Sequence, residues 1–244
     1  MSNTKQKKQW ENFSKNLTLE SIEVTYNHPH IFHHEMSRLV DSYCCQFENP
    51  IVIEVGCESG ITSMLLKNAK QRIFLDYDSK IIEKVKIFCD QKNLHAKFVC
   101  EDMFNIKKVE KESCNIVFNS GVIEHYTYSD RVKAIKEYAK ILSPNGFVII
   151  AYPNHYSFLY NFAYFSRRLL GEKFWPWPSE YKIKNLKSEI EEANLKYIET
   201  LLVDNETLTK FYPNISQFRN ILLRITNLFK GERYLRVCIG KRSN

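Results

Sequence analysis

Seven short apolar runs, each closing on turn or polar residues, punctuate this chain, and segments of helical period follow the first, second and fourth of them. IVIEVG (51–56), RIFLDYD (72–78), AKFVCED (96–102), CNIVFNSG (114–121) and FVIIAYPN (147–154) are rich in β-branched and aromatic residues, as strands buried on both faces are. Between them, ITSMLLKNA (61–69) has helical spacing, and Asp78 is placed to cap SKIIEKVKIFCDQKN, whose Ile81, Ile82, Val85 and Phe88 recur at three and four residues. DRVKAIKEYAKIL predicts another helix, which SPNG (143–146) ends. Strand and helix in alternation predict a doubly wound α/β fold, a mostly parallel sheet with helices on both faces.

Beyond Tyr152 the rhythm breaks. Residues 155–181 are crowded with aromatic side chains and close on FWPWP, whose prolines exclude a regular helix or a central strand. KNLKSEIEEANL then predicts a helix, KYIETLLV a strand, about 214–230 a helix, and RYLRVCIG a strand at the sheet edge. The seven runs predict a seven-stranded sheet in a single domain over 1–244. Its parts are an N-terminal helical cap (1–48), a core (49–154), an aromatic lid insertion (155–185) and the C-terminal part of the sheet (186–244).

Charge adds little: 35 basic against 28 acidic side chains give +7, scattered in short clusters, so nucleic-acid binding is not indicated. Seven cysteines, an odd number with no CxxC pair, lie largely in apolar runs, which predicts free thiols in a reducing cytoplasm and no cysteine-built metal site. No run has the length of a membrane span and MSNTKQKKQW lacks the apolar core of a signal peptide. Peripheral membrane contact through the aromatic, arginine-bearing segment is left open.

The chemistry gathers at the strand ends, where doubly wound sheets hold their ligands. Glu54 and Glu58 flank the first end, Asp76 and Asp78 the second, Glu101 and Asp102 the third, and Asn119 closes the fourth. Carboxylates so placed repel a pyrophosphate. The turn EVGCESG (54–60) also lacks the G-x-G-x-x-G of dinucleotide sites, and no GK[ST] follows for a nucleoside triphosphate. A ligand with a ribose, a positive charge and no phosphate suits this crevice, which is the profile of S-adenosylmethionine.

In order and spacing, EVGCESG, LDYDS, CEDMF, FNSGVIEH and LSPNGFVIIAYPN resemble the motifs of the class I S-adenosylmethionine-dependent methyltransferases, in particular their small-molecule, ubiquinone-type group. The resemblance implies that Glu54, Gly56, Cys57 and Gly60 surround the methionine part of the cofactor. It implies that Asp76, with Tyr77 beside it, takes the ribose hydroxyls. Asp102 and Met103 would meet the adenine, and Asn119, Ser120 and Gly121 would pass near the sulfonium. Glu58 departs from the pattern, standing where the family has a glycine. His125 is the implied base, paired with Tyr26, and Tyr156, Tyr160, Trp175 and Trp177 are the expected walls of the substrate site. The cluster NHPHIFHHEM (27–36) is read as part of the cap rather than a metal site, since its order is not HExxH.

The expected activity is methyl transfer to an O or N atom of a small metabolite, by a monomer or homodimer. Two alternatives stand beside it: an enzyme acting on protein or nucleic acid, and an inactive partner-binding subunit whose turn Glu58 has spoiled.

Overall fold

The computed structural model describes residues 10, 14–171, 178–212 and 216–243; Trp175 and Trp177 lie outside the described residues. The first helices with described bounds are α1 (Leu19–Asn27) and α2 (Ile31–Cys44), followed by β1 (Ile51–Val55), α3 (Ile61–Met64), β2 (Gln71–Asp76), α4 (Ser79–Gln91), β3 (Ala96–Cys100) and β4 (Cys114–Ser120). A 3-10 turn (Ile123–His125) leads into α5 (Tyr128–Ile141), β5 (Leu142–Pro153), α6 (Phe158–Leu169), α7 (Lys187–Glu192), β6 (Lys196–Val203), α8 (Ser216–Leu228) and β7 (Leu235–Lys241).

The seven strands form one sheet in the order β3-β2-β1-β4-β5-β7-β6. β1 to β5 pair in parallel, while β7 runs antiparallel to both of its neighbours. This is the doubly wound, mostly parallel sheet expected from the sequence. The chain leaves β1 toward β2 on one side and returns to β4 on the other, so a crevice opens above the carboxyl ends of these strands.

β7 is not the edge strand that its position in the sequence suggested. Val237, Cys238 and Ile239 are fully buried and it is hydrogen-bonded on both sides, whereas β6 carries the exposed Ile198 and forms the edge. A continuous apolar run needs cover on both faces and from a strand on each flank, and β7 receives it by wedging between β5 and β6.

One sheet face packs against α2 through Met36, Val40 and Cys44 on Val52, Ile116, Phe118 and Ile149, and against α4 through Val85 and Phe88 near Phe74. The other packs against α5 and α7 through Ile135, Tyr138 and Ile190 on Ile53, Val117 and Val148. Helix α2, read from sequence as part of a cap, is therefore one of the layers that bury the sheet.

Two predicted elements change length for identifiable reasons. The helix expected over 61–69 stops at Met64, because the carboxylate of Asp41 on α2 takes the amides of Lys67 and Asn68 (3.0–3.1 Å) and holds the chain in a turn. SPNG does not precede the fifth strand but bulges within it: register passes from Cys114↔Leu142 to Ile116↔Phe147, with Asn145 at φ 61°.

Residues Phe158–Leu169 of the aromatic insertion form a helix, α6. Ser157 caps α6 by accepting from the Tyr160 amide (3.0 Å). Leu159, Tyr160 and Ala163 turn inward, and Phe158, Phe162, Phe165 and Leu169 turn out to solvent, the last at 87% exposure. Its aromatic residues thus divide between a core and an open face rather than forming one wall.

Candidate active site

A cavity of about 960 Å³ lies over the carboxyl ends of β1, β2 and β4, near the top of the ~300–1,000 Å³ range of small-molecule sites. Its floor is the turn after β1. The amides of Gly56 and Cys57 both donate to the Leu75 carbonyl (2.8 and 3.1 Å), and the Gly60 amide closes the turn on the Cys57 carbonyl (2.7 Å). Gly60 has φ 69°, and a Cβ there would stand 2.6 Å from the Phe74 ring, so no other residue fits without displacing it. A Cβ on Gly56 would likewise meet a Val122 methyl at 2.8 Å.

Glu58 takes a left-handed conformation itself, with φ 46°. Its amide donates to Asp76 Oδ2 (3.2 Å), and the Asp78 amide donates to Asp76 Oδ1 (3.0 Å). Behind the turn, Glu54 Oε2 accepts from the Ser63 amide (3.2 Å). Three carboxyl groups thus converge here. Burial, joined by mutual repulsion, lifts Glu54 to about 8 and Glu58 to about 7. Burial lifts Asp76 to about 6, against the two amides that stabilise its charged form.

Of the residues expected to hold a cofactor, Gly56, Asp76, Tyr77, Asp102, Met103, Ser120 and Gly121 line the cavity. Asp102 Oδ1 accepts from the Phe104 amide (2.9 Å), and the Met103 sulfur accepts from the Tyr138 hydroxyl (3.4 Å). Glu54, Cys57 and Gly60 support the turn from below and are not part of the lining. Asn119 is a correction. It is fully buried and its Nδ2 donates to the Tyr138 hydroxyl under α5 (3.0 Å), because alternate residues of β4 face opposite sides of the sheet.

His125 lines the cavity at 2% exposure, with Nδ1 3.2 Å from the Ser179 carbonyl. Burial lowers its pKa, against the opposing pull of Glu180 and the Ser179 carbonyl, so the imidazole is neutral at pH 7. The expected pairing with Tyr26 is not formed. Tyr26 lies on the face of α1 that packs on α4, its ring edge-on to Phe88 (centroids 5.4 Å), and among the described residues the Trp10 ring meets His125 (5.1 Å).

Of the expected substrate walls, Tyr160 lines the cavity. Tyr156 does not: it is 46% exposed, with Lys182 and Arg236 over its ring at 4.7 and 5.2 Å. From the histidine cluster, His30 and His33 line the cavity, and His33 Nδ1 lies 2.9 Å from Thr62 Oγ1. No three histidine, cysteine or carboxylate side chains are grouped to hold a metal ion among the described residues.

Sequence reasoning passed over Glu124, Glu180, Phe211 and Tyr234, which also line the cavity. Glu124 stood in plain view beside His125, but an acid after a strand reads as an ordinary surface residue. Tyr234 and Phe211 come from distant segments, and no local pattern brings them to the strand ends.

Residues 53–150 match the model of a methyltransferase domain. Phosphoethanolamine N-methyltransferase 1 of Triticum aestivum is 27% identical over 147 residues, 59% of this chain; the match spans only 29% of that protein's length. Among solved structures, the YcgJ protein of Bacillus subtilis superposes with TM-score 0.59 at 16% identity, covering 87% of this chain and 99% of that one. A geranyl diphosphate methyltransferase in complex with SAM gives TM-score 0.60 at 10% identity, covering 84% of each chain.

Proposed function

We propose that this chain, whose residues 53–150 match the model of a methyltransferase domain, is a class I, S-adenosylmethionine-dependent methyltransferase that acts on an oxygen or nitrogen atom of a small metabolite. The observation that carries the reading is the convergence of Glu54, Glu58 and Asp76 at the Gly56–Gly60 turn, in a cavity whose described lining holds no lysine or arginine. Buried carboxylates without a counter-charge are unfavourable alone and favourable beside a cation. A cofactor with a sulfonium and an ammonium, and no phosphate, matches that demand.

Asp76 would hold the ribose, because each of its oxygens accepts one amide and keeps a further lone pair. Asp102 and Met103 would border the adenine, and Ser120 and Gly121 the sulfonium. When bound, S-adenosylmethionine supplies an already activated methyl group, so the chain's own tasks are to position the acceptor, exclude water and remove a proton. His125, neutral and on the lining, is the group proposed to take that proton. The geometry of Glu58 speaks against the inactive alternative: it adopts the backbone that a glycine would supply, and its amide ties the turn to Asp76.

The test is isothermal titration with S-adenosylmethionine and, separately, S-adenosylhomocysteine. Micromolar binding of both is expected. Failure of both to bind overturns the reading.

A further inference from the structure

The cavity runs beyond the strand ends into a second compartment whose chemistry differs from that of the glycine turn. Glu124, in the 3-10 turn after β4, is 2% exposed; its Oε2 has no hydrogen-bond partner, and its side chain lines the cavity. Its Oε1 stands 4.0 Å from the position a Cβ would take on Gly121, at the end of β4. Oε1 thus lies between the end of β4 and His125 Nε2, which is 3.9 Å away, beside the place where cofactor and acceptor would meet. Glu180 adds a second acid to the lining, held by the Tyr160 hydroxyl (2.5 Å) and His155 Nε2 (3.0 Å).

Around these acids stand aromatic rings. Tyr160, Phe211 and Tyr234 all line the cavity, and their centroids lie 5.6 to 6.4 Å apart, so the three form one cluster. Ring faces attract cations and exclude water. A buried carboxyl oxygen without a partner, beside a three-ring cluster in a lining without described lysine or arginine, is complementary to one class of molecule. That class is a compact organic cation with apolar substituents.

We propose that this end of the cavity is an amine compartment, in which Glu124 faces the nitrogen of the acceptor and Tyr160, Phe211 and Tyr234 pack around its alkyl groups, so that the metabolite methylated is an amine. The inference rests on the methyl-transfer reading above and narrows it from oxygen or nitrogen to nitrogen. It also gives Glu124 a task. An ammonium has no lone pair to donate; Glu124 holds its charge while, on proton transfer, the N–H bond breaks, the electron pair stays on the substrate nitrogen, and a new N–H bond forms on His125, whose Nε2 lies 3.9 Å from Glu124 Oε1. Burial and the neighbouring Glu180 raise the Glu124 carboxyl above the ordinary carboxylate range in the empty site, a cost of ionisation that an entering ammonium relieves.

Two pairs of probes test this by titration calorimetry, each with and without saturating S-adenosylhomocysteine: choline against its uncharged counterpart 3,3-dimethylbutan-1-ol, and phenethylamine against 2-phenylethanol. At least one charged probe is expected to bind about tenfold tighter than its uncharged partner. Glu124→Gln, close in shape, should bring the two to within about threefold of each other. Phe211→Leu, which keeps apolar volume but removes a ring face, should narrow the gap severalfold and serves if Glu124→Gln does not fold. Equal binding within both pairs, no binding of any probe, or an unchanged preference in the variants overturns the proposal. Its failure is separable from failure of the methyl-transfer reading: S-adenosylhomocysteine binding without charge preference removes the amine compartment alone. Charge preference without S-adenosylhomocysteine binding leaves a cation site and removes methyl transfer.

Discussion

The backbone amide of Glu58 donates to the carboxylate of Asp76 at 3.2 Å, so the residue that replaces a glycine in the turn also anchors the side chain at the end of the neighbouring strand. The bond requires the left-handed backbone of Glu58, φ 46°, which costs a non-glycine residue roughly 1–2 kcal/mol. The same residue brings a half-buried carboxyl group near Asp76, and burial together with the Asp76 charge raises the pKa of Glu58.

Glu58→Gly should therefore stabilise the free protein, by about 1 kcal/mol after allowing for the greater unfolded-state entropy of glycine. Thermal unfolding should show a midpoint about 2–4 °C higher. A lowered midpoint would mean that the Glu58 side chain makes a stabilising contact worth more than the strain.

The carboxyl cluster sets a pH dependence whose sign follows from the direction of the shifts. The folded chain keeps protons on Asp76, Glu58 and Glu54 up to about 6, 7 and 8, whereas the unfolded chain releases them near pH ~4. The folded state binds more protons across that window, so this contribution to stability is full below about pH 4 and is lost as pH rises through the folded values. Without ligand, the gap in midpoint between wild type and Glu58→Gln should widen in favour of the variant between about pH 5 and about pH 8. S-adenosylmethionine, whose cationic charge meets the ionised cluster, should bind more tightly at the upper end of the range; affinity that falls with rising pH would count against the arrangement.

Asp76→Ala removes the proposed ribose partner and the acceptor of two amides. Cofactor affinity should fall at least about tenfold, since a buried hydrogen bond to a charged group contributes ~1.5–3 kcal/mol. Calorimetry with S-adenosylhomocysteine measures it, and unchanged affinity would remove Asp76 from the ribose site.

For His125→Ala, turnover should drop by about 10²–10⁴ while cofactor affinity changes little, as expected of a proton acceptor rather than a binding group. Single-turnover kinetics beside equilibrium titration separates the two. Wild-type turnover would take His125 out of the chemistry.

Asn119→Leu is expected to behave in the opposite way. Its amide serves Tyr138 inside the α5 layer, so stability should fall by about 1–3 kcal/mol with cofactor affinity retained. A loss of affinity at unchanged stability would restore Asn119 to the site.

These cases separate what local sequence determines from what it does not. The strands were legible because parallel strands buried on both faces must be apolar throughout, and their ends were legible because Gly56, Gly60, Asp76 and Asp102 stand at fixed distances from those runs. Within a strand end, parity decides: Asn119 and Ser120 are adjacent, yet only Ser120 reaches the cavity. The arrangement of the N-terminal segment depends on how α1 rolls over α4, which sends Tyr26 to Phe88 and leaves His125 to Trp10. The aromatic insertion was legible as a count of rings but not as a direction, because half of α6 faces solvent.

The position of β7 has a consequence for the order in which the molecule can be made. Among the described residues β6 pairs with no strand but β7, and β7 follows every other strand in the sequence. During synthesis, β5 and β6 must therefore wait with a gap between them, each showing unpaired backbone groups to any passing strand. Closing that gap joins residues as far apart as Phe147 and Lys241, a contact of high sequence separation of the kind that slows folding. The half-made sheet, rather than the finished one, is the form of this protein most exposed to aggregation and most in need of a chaperone.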